Sequence, residues 1–198
     1  VEEVDHKRHM VYCEEIKGKV PAYFGQCPGD IHTKILERMR QVLCEEKSYP
    51  YLMQNAVSRL AQARHTARNA GIGREPLLNL GGDMWVLLPW LGTYAFLALE
   101  RFLKLRCAPL LGLRGLDSSR PYFIQFTMQA DRDTFFRVLA EEAEKPFDPL
   151  ELVYPKEIPL FEKYDEFLPA QLVKKGFAYG ILGITEMKER IKAWTDAL

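Results

Sequence analysis

Aromatic side chains close to basic ones are the strongest chemical feature of this sequence. Pro21 and Gly25 predict a turn around Phe24, directly before a predicted helix with basic residues on one face. A path for single-stranded nucleic acid needs cations for the phosphates and flat rings for the bases, each stack contributing about 1–3 kcal/mol. The sequence therefore predicts weak binding of a single strand by an exposed, stacking Phe24 and five basic residues: Lys34, Arg38, Arg59, Arg64 and Arg68.

The same residue types also have a purely structural explanation. Tyr23 and Phe24 could close the core over the helix that follows them, and the basic helix faces could be ordinary solvated surface. Trp85 and Trp90 bracket an apolar strand, so a position in the core is favoured for both. The aromatic and basic residues by themselves leave both interpretations open.

The formal net charge of zero hides an asymmetry along the chain. Residues 31–74 contain eight basic and three acidic residues, a net charge of +5. Residues 130–167 contain five basic and eleven acidic residues, a net charge of −6. A basic lobe beside an acidic one would allow nucleic acid to contact one side of the protein only.

The sequence motifs of nucleotide hydrolysis are missing. There is no G-x-x-x-x-G-K-[ST] phosphate loop, and the nearest glycine pair, Gly71 and Gly73, has no lysine placed to reach a β- or γ-phosphate. No D-E-x-[DH] run supplies carboxylates for magnesium, and G-x-S-x-G and H-E-x-x-H are absent too. We therefore expect no catalytic residue in this chain and no hydrolysis of nucleoside triphosphates by a phosphate-loop mechanism.

Histidines, cysteines and paired carboxylates do not form a recognisable site. No two of the four histidines have the i, i+4 spacing of helical metal ligands, and the four cysteines include no C-x-x-C pair. Asp131 and Asp133 are better explained as a helix cap and a first-turn residue, and Asp165 and Glu166 as the same for the next helix. We expect no metal and no cofactor in this chain.

The composition predicts a soluble protein with a packed core. Hydrophobic residues make up 47% of the 198 residues, and the longest apolar stretch, around Met84–Leu91, is far shorter than the about 20 residues that span a bilayer. No signal-peptide pattern opens the chain. The widely spaced cysteines favour reduced, buried thiols. These features predict a cytoplasmic protein with no membrane partner.

Periodicity predicts an α+β fold that opens with a hairpin and two helices. Residues 1–5 and 9–14 would pair as short strands. Asp30 would cap a helix whose apolar side consists of Ile31, Ile35, Met39, Val42 and Leu43. A second helix would run from near Pro50 to Gly71, and residues 71–82 would form a loop.

Two strand-then-helix units and two short helices would follow. Residues 84–89 and 122–129 are the predicted strands, with a helix after each, the first ending near Arg106 and the second capped by Asp131 and ending before Pro146. The proline-rich segment 145–167 would be an extended strap, and the last helices would begin near Pro169 and Thr185. We expect one domain over residues 1–198, which divides, if at all, into 1–75 with the hairpin and basic helices and 76–198 with the strand–helix units.

Several short motifs resemble, in order, the DEAD/H-associated region of large helicase-related (Lhr-type) proteins. Residues 163–173, KYDEFLPAQLV, are similar to the run K-Y-x-x-[FY]-[VL]-P-x-x-L-[LV] of that family. Residues 175–178 and 185–191 occupy the places of the aromatic-containing helix and the final helix that follow it. The opening strands, residues 21–32 and residues 88–93 (LPWLGT) resemble its earlier motifs. Many relatives carry tryptophan in the first aromatic turn where this chain has Phe24, which would weaken stacking.

The resemblance implies a longer protein, a superfamily 2 ATP-dependent helicase, in which two RecA-like domains and a winged helix precede this region. Such hydrolases bind ATP and Mg²⁺ in the motor, move along single-stranded DNA and are linked to DNA repair. This chain would then be a non-catalytic accessory domain that contacts DNA (or RNA) and helps to hold or separate the strand, with the RecA-like and winged-helix domains as partners in cis. The alternative is a structural or protein-interaction domain that packs on the winged helix.

Overall fold

The computed structural model describes residues 3–5, 10–12 and 30–196, and within these ranges the fold is α+β, as predicted. Strands β1 (Glu3–Asp5) and β2 (Met10–Tyr12) pair antiparallel, with Val4 opposite Val11. This antiparallel pairing of consecutive strands confirms the N-terminal hairpin.

Two helices follow the hairpin, and both begin later than predicted. Helix α1 (Thr33–Cys44) is capped by His32 and not by Asp30, because the His32 Nδ1 atom accepts a hydrogen bond from the Lys34 amide at 3.1 Å. Helix α2 (Gln54–Ala70) begins four residues after Pro50. Its predicted end is confirmed: Gly71 adopts φ +75°, a left-handed conformation that glycine enters without steric cost.

The buried face of α1 differs from its predicted apolar stripe. Ile35 and Met39 are 54% and 42% exposed, whereas Thr33 and Leu36 are buried. The reason is a set of hydrogen bonds between residues 31–33 and residues 92–93, which we call the α1 clasp. In it, the Gly92 amide donates to Thr33 Oγ1 at 2.6 Å, and the Thr93 amide donates to the Ile31 carbonyl at 3.0 Å. These bonds, more than the apolar pattern, fix which side of α1 faces the protein.

A four-stranded antiparallel sheet forms one layer of the protein, with the strand order β3-β4-β6-β5. Its strands are β3 (Leu77–Gly81), β4 (Met84–Leu87), β5 (Arg114–Ser119) and β6 (Phe123–Thr127). The sequence predicted β4 and β6, but it did not predict β5 and it wrongly assigned β3 to a loop. Two glycines allow the tight turn between β3 and β4: Gly81, the last residue of β3, has φ +118°, and Gly82, the first residue of the turn, has φ +55°.

The remaining helices lie close to their predicted positions. Helix α3 (Thr93–Phe102) continues through a π-helical segment, Leu103–Cys107, into α4 (Ala108–Leu111). Helices α5 (Arg132–Glu144), α6 (Ala170–Gly176) and α7 (Ile184–Thr195) follow. Asp131 caps α5 as predicted, since its carboxylate accepts a hydrogen bond from the Thr134 amide at 2.7 Å, and this bond lowers the Asp131 pKa. Among the described residues, no helix has the length and apolar character needed to cross a membrane.

One face of the sheet packs on the helices and forms the main core. Leu87, Ile124 and Phe126 point to this face and are at most 1% exposed. Phe126 stacks on Phe135 of α5 with 5.7 Å between ring centroids. The main core extends along the chain from Leu77 to Ile191, and its buried side chains include residues of β3, β4, β6, α3, α4, α5 and α7. None of the residues that the structure describes in α1 or α2 belongs to this buried cluster.

The strap, residues 145–167, is irregular and contains two short 3₁₀ turns, Pro149–Leu152 and Asp165–Phe167. The prediction that Asp165 helps to cap the next helix is wrong. Its Oδ2 atom accepts hydrogen bonds from the amides of Phe161 and Glu162, both at 2.8 Å, so it closes the loop before it. Helix α6 instead begins after Pro169 without a side-chain cap.

Candidate nucleic-acid interface

The two predicted basic residues of α1 differ in their surroundings. Phe24, the predicted stacking residue, lies outside the described residues. Lys34 is exposed, and its ammonium group has no hydrogen bond or ion pair with any described residue. Arg38 is held by its own helix hairpin, because its Nη2 atom donates to Glu45 Oε1 at 2.9 Å and to the Tyr49 hydroxyl at 2.8 Å.

A small polar network surrounds Arg38. The Tyr49 hydroxyl donates a short hydrogen bond to Glu45, and this bond, together with those from Arg38, lowers the pKa of the Glu45 carboxyl. The guanidinium carbons of Arg38 and Arg64 also lie 5.9 Å from the centre of the Tyr49 ring. Arg38 therefore stabilises the link between α1 and α2, and little of its hydrogen-bonding capacity remains for phosphate.

Of the three predicted arginines of α2, two form hydrogen bonds or a salt bridge and one has no described polar partner. Arg64 donates to the carbonyls of Val42 and Lys47, at 2.8 and 3.0 Å, and Arg68 forms a salt bridge with Glu46 at 2.8 Å. Arg59 is exposed, has no described polar partner and lines an open depression of about 420 Å³ on the α2 surface. Only Lys34 and Arg59 of the predicted set are thus completely free of described partners.

Positive charge in this part of the chain is still largely uncompensated. Of the eight basic residues between positions 31 and 74, only Arg38 and Arg68 form salt bridges among the described residues. The third acidic residue of the segment, Glu37, pairs instead with Arg190 of α7, at 2.6 Å. Six basic residues therefore have no described carboxylate partner: Lys34, Arg40, Lys47, Arg59, Arg64 and Arg74.

The structure also contains a basic cleft that the sequence did not reveal. It has a volume of about 330 Å³ and lies between α1, the loop at residues 73–76, the β4–α3 turn, α5 and α7. Four arginines from different segments line it, together with three aromatic residues; we call it the arginine cleft. These seven residues are Arg40, Arg74, Arg132, Arg190, Trp90, Phe136 and Trp194.

Two cleft arginines are paired with carboxylates and two are not. Arg190 pairs with Glu37, and Arg132 forms a short salt bridge with Glu75. Arg40 uses only its Nε atom, which donates to the Gly73 carbonyl at 2.6 Å. Arg74 is exposed, and its guanidinium has no polar partner among the described residues. The cleft therefore carries two uncompensated positive charges, both next to residue 73.

The three aromatic side chains, which we call the aromatic wall, line the same cleft as these cations. Phe136 is buried and meets the partly exposed Trp194 edge-on, with 6.0 Å between ring centroids. Trp90 is 8% exposed and has φ +55°. This conformation costs a bulky residue about 1–3 kcal/mol and persists only where surrounding contacts offset that cost. The α1 clasp begins two residues later, at Gly92, and Arg190 Nη2 lies 3.4 Å from the Trp90 carbonyl oxygen. The neighbouring contacts thus hold a strained turn at the cleft.

Sequence reasoning missed the cleft because its residues are up to 154 positions apart, from Arg40 to Trp194. Arg132 lies inside the acidic stretch 130–167, so counting charge by segment concealed it. The sequence favoured the core for Trp90, and this residue is indeed buried, but it also lines the cleft. Its positive φ arises from contacts made in the folded chain, and no local sequence pattern indicates such a conformation for a tryptophan.

The described residues contain no cluster of three or more histidine, cysteine or acidic side chains that could hold a metal ion. Of the two described cysteines, Cys107 is buried, and burial raises the pKa of its thiol, whereas Cys44 is exposed. The prediction of buried thiols is therefore correct for Cys107 and wrong for Cys44.

Comparison of the chain with protein-family models, with curated proteins and with solved structures finds no match.

Proposed function

We propose that this chain is a nucleic-acid-contacting accessory domain that binds single strands, without catalytic activity of its own, in an ATP-dependent helicase. The observation that carries the proposal is the uncompensated charge of residues 31–74, six cations without a described carboxylate partner beside a cleft with aromatic walls. Cations for phosphates and rings for bases are the two requirements of single-strand binding. The helicase itself, with ATP and Mg²⁺ in its RecA-like domains, is inferred from the motif resemblance alone.

Strand binding should weaken strongly as salt rises, because phosphates that bind to arginine or lysine release condensed counterions. For single strands the slope of log K against log salt is about −0.7 per phosphate contact, so about four contacts would weaken binding roughly 50-fold between about 50 and 200 mM salt. Titration of a labelled oligonucleotide with the 198-residue chain measures this slope. Binding that is indifferent to salt, or no binding at low salt, would contradict the proposal.

A pair of double variants locates the binding face. Lys34 and Arg59 are exposed and free of described polar partners, so Lys34→Gln with Arg59→Gln should leave folding intact and make the salt slope less steep by about 1.4. Lys156 and Lys163 are exposed in the acidic stretch 130–167 and serve as the matched control. Lys156→Gln with Lys163→Gln should leave the slope unchanged.

The isolated chain should not hydrolyse ATP, with or without nucleic acid, because the phosphate loop and the magnesium-binding carboxylate run are absent from its sequence. Phosphate release by the purified chain is the measurement. Turnover that follows the protein through a second purification step would show that this expectation is wrong.

One observation favours the alternative function, a structural or protein-interaction domain. Large apolar side chains are exposed along the strap and the start of α6, among them Leu160 at 60%, Tyr164 at 63% and Phe167 at 75%. Exposed apolar patches are typical of protein-binding surfaces. Failure of the chain to bind any single strand at low salt would favour this function, and a winged-helix domain would then be the first partner to test.

A further inference from the structure

We infer that the arginine cleft binds one nucleotide of a single strand, with the phosphate on Arg40 and Arg74 and the base against Trp194. The inference rests on the function proposed above and adds a specific site to it. The cleft is separate from the cations that the sequence predicted to bind nucleic acid, since none of Lys34, Arg38 and the three α2 arginines lines it.

Charge and hydrogen-bonding capacity place the phosphate at residue 73. Arg132 is paired with Glu75 and Arg190 with Glu37. These two arginines therefore line the cleft without providing uncompensated charge for a phosphate. Arg40 and Arg74 keep their full charge. The bond from Arg40 Nε to the Gly73 carbonyl fixes the guanidinium and leaves both terminal amino groups without a described partner. Two parallel N–H donors of one guanidinium match two oxygens of a phosphate.

The aromatic wall gives the base a place next to this phosphate site. Trp194 is partly exposed, and the ring of Phe136 supports it from the protein side at 6.0 Å. A flat, supported indole accepts any base because every base has a π-face. The site would therefore show little preference among the four bases.

The volume of the cleft limits its occupant to a single nucleotide. About 330 Å³ is at the lower end of the range for small-molecule sites, roughly 300–1,000 Å³. One nucleotide matches this volume, whereas two stacked nucleotides exceed it. The neighbouring phosphates of the strand would lie outside, toward the free cations of α1 and α2.

The cleft is preorganised, because ion pairs and hydrogen bonds join its walls without any ligand. Arg190 and Glu37 connect α7 with α1, Arg132 and Glu75 connect α5 with the 73–76 loop, and Arg40 connects α1 with Gly73. A site whose walls are already fixed loses little conformational entropy when it binds.

Binding of a labelled oligothymidylate at low salt tests the inference in three variants of the 198-residue chain and in one control variant. Arg74→Gln removes a side chain with no described partner and should weaken binding roughly tenfold without lowering the melting temperature. Trp194→Leu should weaken binding by a similar factor, and Trp194→Phe should restore most of it because a ring remains. Arg137→Gln is the control, since Arg137 is exposed on α5 and pairs only with Glu141 at the surface.

Competition by small ligands distinguishes the parts of the site. Adenosine 5′-monophosphate should displace the strand at lower concentration than inorganic phosphate or adenosine does, because only the nucleotide fills both the phosphate and the base positions. An oligonucleotide with an abasic site at every position should bind Trp194→Leu and the unaltered chain equally.

The outcomes separate this inference from the proposed function. No strand binding by the unaltered chain would contradict the proposed function itself. Strand binding that Arg74→Gln and Trp194→Leu leave unchanged would overturn the cleft inference while the function stands. Displacement of the strand by inorganic phosphate as effectively as by the nucleotide would overturn the base position. A further outcome is that the cleft binds the nucleotide, while the cleft variants bind the strand as tightly as the unaltered chain does. This result would overturn the inference, because the cleft would then bind free nucleotides and not the strand.

Discussion

Replacing Glu157 by alanine should lower the free energy of unfolding by about 3 kcal/mol, because it leaves a buried arginine without its counter-charge. The side chain of Arg101 is 6% exposed and that of Glu157 is 25% exposed, and two N–H···O bonds of 2.6 Å join them. The guanidinium carbon of Arg101 also lies 4.7 Å from the ring centre of Tyr154 and 4.9 Å from that of Phe177. Arg101 thus fastens the strap and the segment after α6 to α3.

The expected change corresponds to a fall in melting temperature of roughly 6–12 °C for a chain of this size. The matched control is Glu141→Ala, since Glu141 pairs with Arg137 one helical turn away and both side chains are more than half exposed. Such surface pairs contribute about 0.3–0.5 kcal/mol. Equal effects of the two substitutions in urea unfolding would show that the Arg101–Glu157 pair does not hold the strap.

The pH dependence of stability provides a second measurement on the same pair. Hydrogen bonds from Arg101 hold the pKa of Glu157 below its ordinary value. The folded-state pKa is therefore lower than the unfolded one, and the stabilisation is complete above the unfolded value of about 4.3. It is lost as the pH falls through the folded pKa. We expect the stability difference between the unaltered chain and Glu157→Ala to be constant near neutral pH and to shrink below about pH 4.

The sequence correctly predicted those features that depend on interactions within a few residues of the chain. Asp131 caps α5 and Gly71 ends α2, because a cap and a left-handed glycine act over three or four residues. The strand pattern of β6 is visible in the sequence because apolar residues alternate along it. Strand β5, Arg114–Ser119, has almost no apolar residues and owes its conformation to pairing with β6, so no local pattern could indicate it.

The arrangement of the candidate site depends on contacts that are distant in sequence. The apolar stripe of α1 predicted the wrong buried face, because the clasp to Gly92 and Thr93, about 60 residues away, orients this helix. The predicted basic residues are in their predicted helices, but the carboxylates that occupy Arg38 and Arg68 come from the loop between these helices. Counting charges along the sequence gave the net positive charge of residues 31–74 correctly. It could not show which of these basic side chains have no carboxylate partner in the folded chain.

Replacing Gly92 by alanine should lower the free energy of unfolding by about 1–3 kcal/mol and should also weaken strand binding. The added Cβ atom would lie 2.5 Å from the Ile31 carbonyl oxygen and 2.7 Å from the Thr33 amide nitrogen. Both are backbone atoms of the α1 clasp and cannot rotate away. Gly92 has φ −66°, which alanine adopts freely, so the expected effect is steric and not conformational.

Relief of that clash requires the first turn of α1 to move away from the β4–α3 turn. Helix α1 carries Arg40 and Glu37, whereas Trp90 and the partner of Glu37, Arg190, stay with the core, so the cleft would lose its shape. Gly180→Ala is the matched control, because a Cβ atom at Gly180 would meet nothing within 4 Å. We expect Gly180→Ala to leave melting temperature and strand affinity unchanged or slightly raised. If Gly92→Ala has the same melting temperature and strand affinity as Gly180→Ala, the clasp does not position α1. If Gly92→Ala lowers the melting temperature but leaves strand affinity unaltered, the clasp stabilises the fold without maintaining the cleft that binds the strand.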